Sequence, residues 1–252
     1  MSTLKVIRGS GLTSCLMVRL SDWYDYWHKN GTPPDEIDSS EQFGRYADIY
    51  GQDVSRVYLK EYVNPGEQSL KLIDFYHDWQ YKWYNEMPLA EISAAMAVVN
   101  PFSDAICTRA EEIGQLIGDR TVVLYRGNDK SYEVFRTPYF CMETIAKEIG
   151  STEFFVQTDE NEFYDFWKQY FPDTVCYEAL PRINKDPDRF YLPEEGTREE
   201  FTVNFFGALL AISRAKKIIM TTGNVGLTVA ILRGRSEGIW QYHGTHRIHR
   251  KL

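Results

Sequence analysis

An α/β fold, built as two Rossmann-like lobes with parallel sheets and a cleft between them, is predicted by three features of the 252-residue chain. From Thr121 onward short apolar runs alternate with helical patterns, the signature of a parallel sheet with crossover helices. Near the amino terminus Leu4-Lys5-Val6-Ile7 leads through the glycine turn Arg8-Gly9-Ser10-Gly11 into helical apolar spacing over residues 12–27. The apolar run Val122-Val123-Leu124-Tyr125 stops abruptly at Arg126-Gly127-Asn128-Asp129-Lys130, so a buried strand delivers an arginine to its carboxyl end.

Each element follows from local chemistry. Residues 4–7 read as the first strand and 12–27 as the first helix. The turn between them has Gly9 and Gly11, but Ser14 stands where the dinucleotide fingerprint has its third glycine, so that fingerprint is incomplete. Asn30-Gly31-Thr32-Pro33-Pro34-Asp35 is a loop, and Val57-Tyr58-Leu59 reads as a further strand. Residues 70–84, 89–99 and 106–116 read as helices, the last stopped by Gly118-Asp119. A boundary there divides the chain into lobes of residues 1–117 and 118–252. In the second lobe strands are expected at 122–125, 154–157, 175–177 and 217–220, and helices at 138–149, 161–170, 199–215 and 225–232.

Composition narrows the function. A hydrophobic share of 43% supplies a substantial core, and a formal net charge of -8 leaves no cationic excess to neutralise a nucleic-acid backbone. The four cysteines are widely spaced without a Cys-x-x-Cys pair, so neither a zinc site nor a disulfide framework is indicated. No apolar run reaches membrane-spanning length, and a soluble cytoplasmic protein is expected.

Polar clusters close three strands of the second lobe: residues 126–130, Thr158-Asp159-Glu160 and Thr221-Thr222-Gly223-Asn224. In open α/β sheets ligands bind outside the carboxyl strand ends. The third cluster opens a helix at Val225, whose N–H groups and dipole suit phosphate oxygens, and Arg126 is a natural bidentate partner for the same diphosphate. Asp159 and Glu160 also fit a plain capping role at the helix that follows. The 221–224 turn likewise fits a structural strand-to-helix connection. His243, His246 and His249, flanked by Arg247, Arg250 and Lys251, read as a solvated basic tail rather than a metal site. Aromatic clusters at Trp23, Tyr24, Tyr26 and Trp27 and at Trp79, Tyr81, Trp83 and Tyr84 fit an acceptor cleft and an interlobe core equally.

Three segments, Val-Leu-Tyr-Arg-Gly-Asn-Asp-Lys at 123–130, Phe-Phe-Val-Gln-Thr-Asp-Glu at 154–160 and Ile-Ile-Met-Thr-Thr-Gly-Asn-Val-Gly at 218–226, resemble in order and content the donor-binding half of the fucosyltransferase-like GT-B glycosyltransferases. That family includes the α1,6- and protein O-fucosyltransferases, and the resemblance spans about residues 118–235. It implies a GT-B-like fold and transfer of a sugar from a nucleotide-sugar donor to a glycan hydroxyl, with GDP-fucose the favoured donor. Arg126 matches the arginine that grips the donor diphosphate, and Asp129-Lys130 the acid-lysine pair that follows it. Glu133, shortly before Pro138, is similar in placement to the glutamate proposed as catalytic base. Thr158, Asp159 and Glu160 match a Thr-Asp-acid motif near the donor, and Thr221, Thr222, Gly223, Asn224, Val225 and Gly226 match the phosphate-binding turn. Gly9 and Gly11 are compatible with the family's first β-α turn.

Two departures keep the donor open: Leu124 stands where several members have histidine, and Gly127 replaces a second arginine. UDP-xylose or another UDP-sugar is therefore an alternative donor, and a non-catalytic nucleotide- or glycan-binding protein is an alternative class. The implied chemistry is inverting, with Glu133 deprotonating the acceptor while Arg126, Lys130 and the 221–226 turn serve the leaving diphosphate. No metal and no other cofactor is expected. The expected partners are the nucleotide-sugar and a carbohydrate acceptor, and the lack of the tether found in lumenal members points to a bacterial or viral setting.

Overall fold

The computed structural model describes residues 2–7, 11–46, 48, 55–66, 70–127, 136–184, 193–243 and 246–247, with His77, His246 and Arg247 described by backbone alone. Its elements run β1 (Thr3–Lys5), α1 (Leu12–Asn30), β2 (Glu36–Asp38), α2 (Ser55–Tyr58), α3 (Leu89–Val99), α4 (Asp104–Ile117), β3 (Thr121–Tyr125), α5 (Tyr139–Glu148), β4 (Phe154–Thr158), α6 (Asn161–Tyr170), α7 (Arg198–Ser213), β5 (Ile218–Thr221), α8 (Asn224–Arg233), β6 (Ile239–His243) and β7 (His246–Arg247). β1 and β2 pair in parallel on either side of α1 in the sequence, a small β-α-β unit. The main sheet has the order β4-β3-β5-β6-β7; all pairs are parallel except the last. The fold is α/β with parallel sheets, as the alternating pattern predicts.

Why β3, β4 and β5 are apolar along most of their length is clear from their packing, because both faces of the sheet are covered. Val122 and Leu124, Phe155, and Ile218 and Met220 point into the larger core, which α1, α3, α4, α7 and α8 complete. Val123 and Tyr125, Phe154 and Val156, and Ile219 point the other way, into a smaller core closed by α5 and α6. Gly118, with φ 54° and ψ -129°, ends α4 and turns the chain into β3. The larger core runs on through that turn, holding Trp23 and Ile106 together with Leu209 and Leu227.

Four local expectations differ from the structure. Residues 57–59 make no strand: the Leu59 N–H bonds back to the Ser55 carbonyl at 2.7 Å, closing the turn of α2, and only a single bridge to Phe102 follows. Residues 70–84 make no long helix. Phe75 is anchored in the core and Tyr84 under α8, two separate sites, and the chain between them takes only the 3₁₀ turns His77–Tyr81 and Tyr84–Glu86. Residues 175–177 contribute one bridge, Val175 to Phe155. His243, read as part of a basic tail, instead ends β6, which lies beside β5. Among the described residues no helix is long and apolar enough to cross a membrane.

Candidate active site at the carboxyl edge of the sheet

The chain leaves β3 toward α5 on one face of the sheet and leaves β5 toward α8 on the other, although β3 and β5 are neighbours. Diverging exits open a crevice at the strand ends, the topological switch point where ligands of open α/β sheets bind. Its floor is fixed by the Arg126 backbone N–H, which donates to Thr221 Oγ1 at 3.4 Å.

The wall made by residues 221–226 is built around glycine. Gly223 sits at φ 142° and ψ 177°, a region open in practice to glycine alone, and so turns β5 directly into α8. Gly226 allows the Thr221 carbonyl and the Tyr84 hydroxyl to approach closer than a Cβ would permit. That hydroxyl donates to the Gly223 carbonyl at 3.2 Å and accepts from the Gly223 N–H at 3.4 Å. Below it Gln241 of β6 donates to Thr222 Oγ1 at 2.9 Å and accepts from the Tyr84 N–H at 2.9 Å.

Two helices begin here. Neither α1, after Gly11, nor α8, after Gly223, has a side-chain cap, and Asn224 Nδ2 of α8 donates to Ser14 Oγ in the first turn of α1 at 2.7 Å. The positive ends of two helix dipoles thus face one crevice, an arrangement suited to anions. α7 is different: the Asp48 carboxylate accepts from the N–H groups of Gly196 (2.7 Å), Arg198 (3.0 Å) and Glu199 (3.4 Å), so that helix start already holds an anion.

On the other side of β3 lies the end of β4. Asp159 Oδ1 accepts the Gly127 N–H at 3.1 Å, and Asp159 Oδ2 stands 4.0 Å from Arg126 Nε. Glu160 is fully buried and accepts from the Arg136 guanidinium and, at 2.7 Å, from the Tyr139 hydroxyl. Burial pushes the Glu160 carboxyl up from its ordinary value, with its two donors pulling the other way. Burial and the adjacent Glu160 likewise push the Tyr139 phenol up. Arg136 also donates from Nε to the Tyr125 hydroxyl at 3.2 Å, which in turn donates to the Thr137 carbonyl at 2.9 Å.

Of the residues singled out in the sequence, the fold gathers Arg126, Asp159, Thr221, Thr222, Gly223, Asn224 and Val225 around the crevice, with Gly11 at the helix that meets it. Thr158 and Glu160 turn inward: Thr158 Oγ1 takes the Glu160 N–H at 3.2 Å, and Glu160 faces Arg136 and Tyr139. Gly9, Asp129, Lys130 and Glu133 lie outside the described residues. Leu124 is buried in the larger core, and a Cβ on Gly127 would overlap the Glu160 carboxylate, so no second arginine fits there. Sequence reasoning missed Gln241, Arg136 and Tyr139, and saw Tyr84 only as part of an aromatic cluster, because their partners are distant in sequence. It also passed over Asp186-Pro187-Asp188, an Asp-x-Asp triplet outside the described residues that provides a spacing for a metal-clamped diphosphate. Among the described residues no three His, Cys, Asp or Glu side chains cluster to hold a metal.

No protein-family model matches the sequence, and no curated protein matches it. Solved structures do match over nearly the full length. The α-1,6-fucosyltransferase NodZ co-crystallised with GDP superposes with a TM-score of 0.55 at 13% identity, covering 98% of this chain and 97% of that one. This chain shares the NodZ fold. Fucosyltransferase NodZ from Bradyrhizobium gives a TM-score of 0.56 at 12% identity over 98% of this chain and 97% of its own. NodZ soaked with GDP-fucose gives 0.53 at 12% identity over 92% of both chains. The likeness to NodZ extends over nearly the whole chain, beyond the span of the three sequence motifs, and the architecture is GT-B-like.

Proposed function

We propose that this protein is an inverting, metal-independent glycosyltransferase that moves a sugar from a nucleotide-sugar donor, GDP-fucose in first place, to a glycan hydroxyl. One observation carries the reading: the starts of α1 and α8 and the arginine at the end of β3 meet at the switch point of a fold shared with NodZ. A diphosphate is the ligand that such a group of donors holds best. NodZ has been co-crystallised with GDP and soaked with GDP-fucose, which supports that donor ahead of the UDP-sugars.

In this reading Arg126 and the amides of Asn224, Val225 and Gly226 in the first turn of α8 bind the diphosphate and stabilise the charge that develops as the sugar C1–O bond breaks. Glu133 takes the proton of the acceptor hydroxyl as that oxygen attacks from the opposite face, and Lys130 assists the leaving group. Calorimetric titration with GDP, UDP, GDP-fucose, UDP-xylose, UDP-glucose and NAD tests the donor. One nucleoside diphosphate and its sugar should bind, and Arg126→Ala should weaken that binding by about tenfold or more. Binding equal to wild type in that variant would remove Arg126 from the site, and selective UDP binding would move the donor to a UDP-sugar. Glu133→Gln should keep the donor affinity and lose turnover by roughly 10²-fold or more. Full activity in EDTA is expected, and reversible loss on chelation would overturn metal independence.

A further inference from the structure

Glu160 was singled out in the sequence as a donor-site acid, yet its carboxylate is fully buried and faces the protein. A buried ion pair such as Arg136–Glu160 is weak as a source of stability, because desolvating two charges offsets most of their attraction. Its geometric effect is clearer. The two residues that flank Arg126 in the chain both lie against this pair. Tyr125, before it, stacks on Phe163 with ring centroids 4.0 Å apart and takes the Arg136 Nε donor on its hydroxyl. Gly127, after it, lies so close to the Glu160 carboxylate that the nearest atoms a Cβ would meet are the Glu160 Oε1, Cδ and Oε2. The neighbouring Asp159 then takes the Gly127 N–H.

We infer that Glu160, through Arg136 and Tyr139, is a positioning residue that fixes the backbone on both sides of Arg126 and so sets the place of that arginine, beside Asp159, at the carboxyl edge of the sheet. The inference rests on the donor reading proposed above. It assigns Glu160 no contact with the ligand. Glycine at 127 is then required because the carboxylate occupies the space of a side chain, and the absence of a second arginine follows from the same contact.

A double-mutant cycle with GDP as the probe tests it, with Kd measured below the melting transition of every variant. Gly127→Ala alone should weaken GDP binding by about tenfold, the size typical of coupled neighbours. In a Glu160→Ala background, where the obstructing atoms are gone, Gly127→Ala should add no further loss. In a Glu160→Gln background, where the volume is kept, it should still do so. A Gly127→Ala protein that binds GDP like wild type overturns the inference, as does a penalty that persists undiminished in Glu160→Ala. If Glu160 were merely structural, the variants would melt earlier while the folded molecules kept the wild-type Kd, and that result also overturns it. A wild-type protein that binds no nucleoside diphosphate overturns the donor reading itself, and this inference with it.

Discussion

At the scale of single residues, the site depends on atoms that must approach closely. Tyr84 is wholly buried, and burial pushes its phenol up, so it stays a neutral hydroxyl that both donates to and accepts from Gly223. Tyr84→Phe leaves a buried carbonyl and a buried amide without that partner, and should cost about 1–3 kcal/mol in urea denaturation while weakening GDP binding. A variant with unchanged stability would mean that the turn holds itself. Arg126 and the 221–224 turn were legible in the sequence because each ends an apolar run abruptly. Arg136 and Tyr139 were not: they sit in and just after a loop, and the partner that gives them meaning, Glu160, lies beyond a helix and a strand. A buried carboxylate reads in sequence like any solvated one.

At the scale of elements, three helix starts are treated differently, and the difference is testable. The start of α7 is closed by Asp48, far away in sequence, so Asp48→Ala should cost about 1 kcal/mol of stability, with circular dichroism in urea as the check, and leave nucleotide binding alone. A drop in affinity would show that α7 belongs to the site after all. The repeating part of the fold was readable because a parallel strand covered on both faces must be largely apolar, and residues 122–125, 154–156 and 218–220 are. Segment 70–84 was misread for the converse reason. Its aromatic residues imitate a helical face, but Phe75 and Tyr84 anchor in separate places and only 3₁₀ turns fit between them. β6 was hidden by its own composition: Gln241 and His243 look solvent-bound until Gln241 is seen bonded to Thr222 and Lys82.

At the scale of the whole molecule, seven tyrosines, at 24, 58, 62, 84, 125, 139 and 164, have phenols pushed up chiefly by burial. A phenol whose pKa rises on folding keeps its proton in the native state. Its contribution is intact below about pH 10, the unfolded value, and is lost as pH climbs toward the folded one. Stability should therefore fall steeply in alkali, and the phenolate absorbance of these tyrosines should rise together with the loss of far-ultraviolet circular dichroism. Complete phenolate formation with the fold intact would contradict this.

The two margins of the main sheet bear on how the molecule meets its neighbours. Along β4 the backbone groups of Phe154 and Val156 are met by Val175, and those of Asp159 and Asn161 by Ile183, while on the far side β7 runs antiparallel against β6. Strand recruitment by another chain therefore meets backbone already partly paired along β4, while at the other margin the two residues of β7 cover only the end of β6. The exposed rings of Phe140 and Tyr170 offer self-association a second surface, made by side chains rather than backbone.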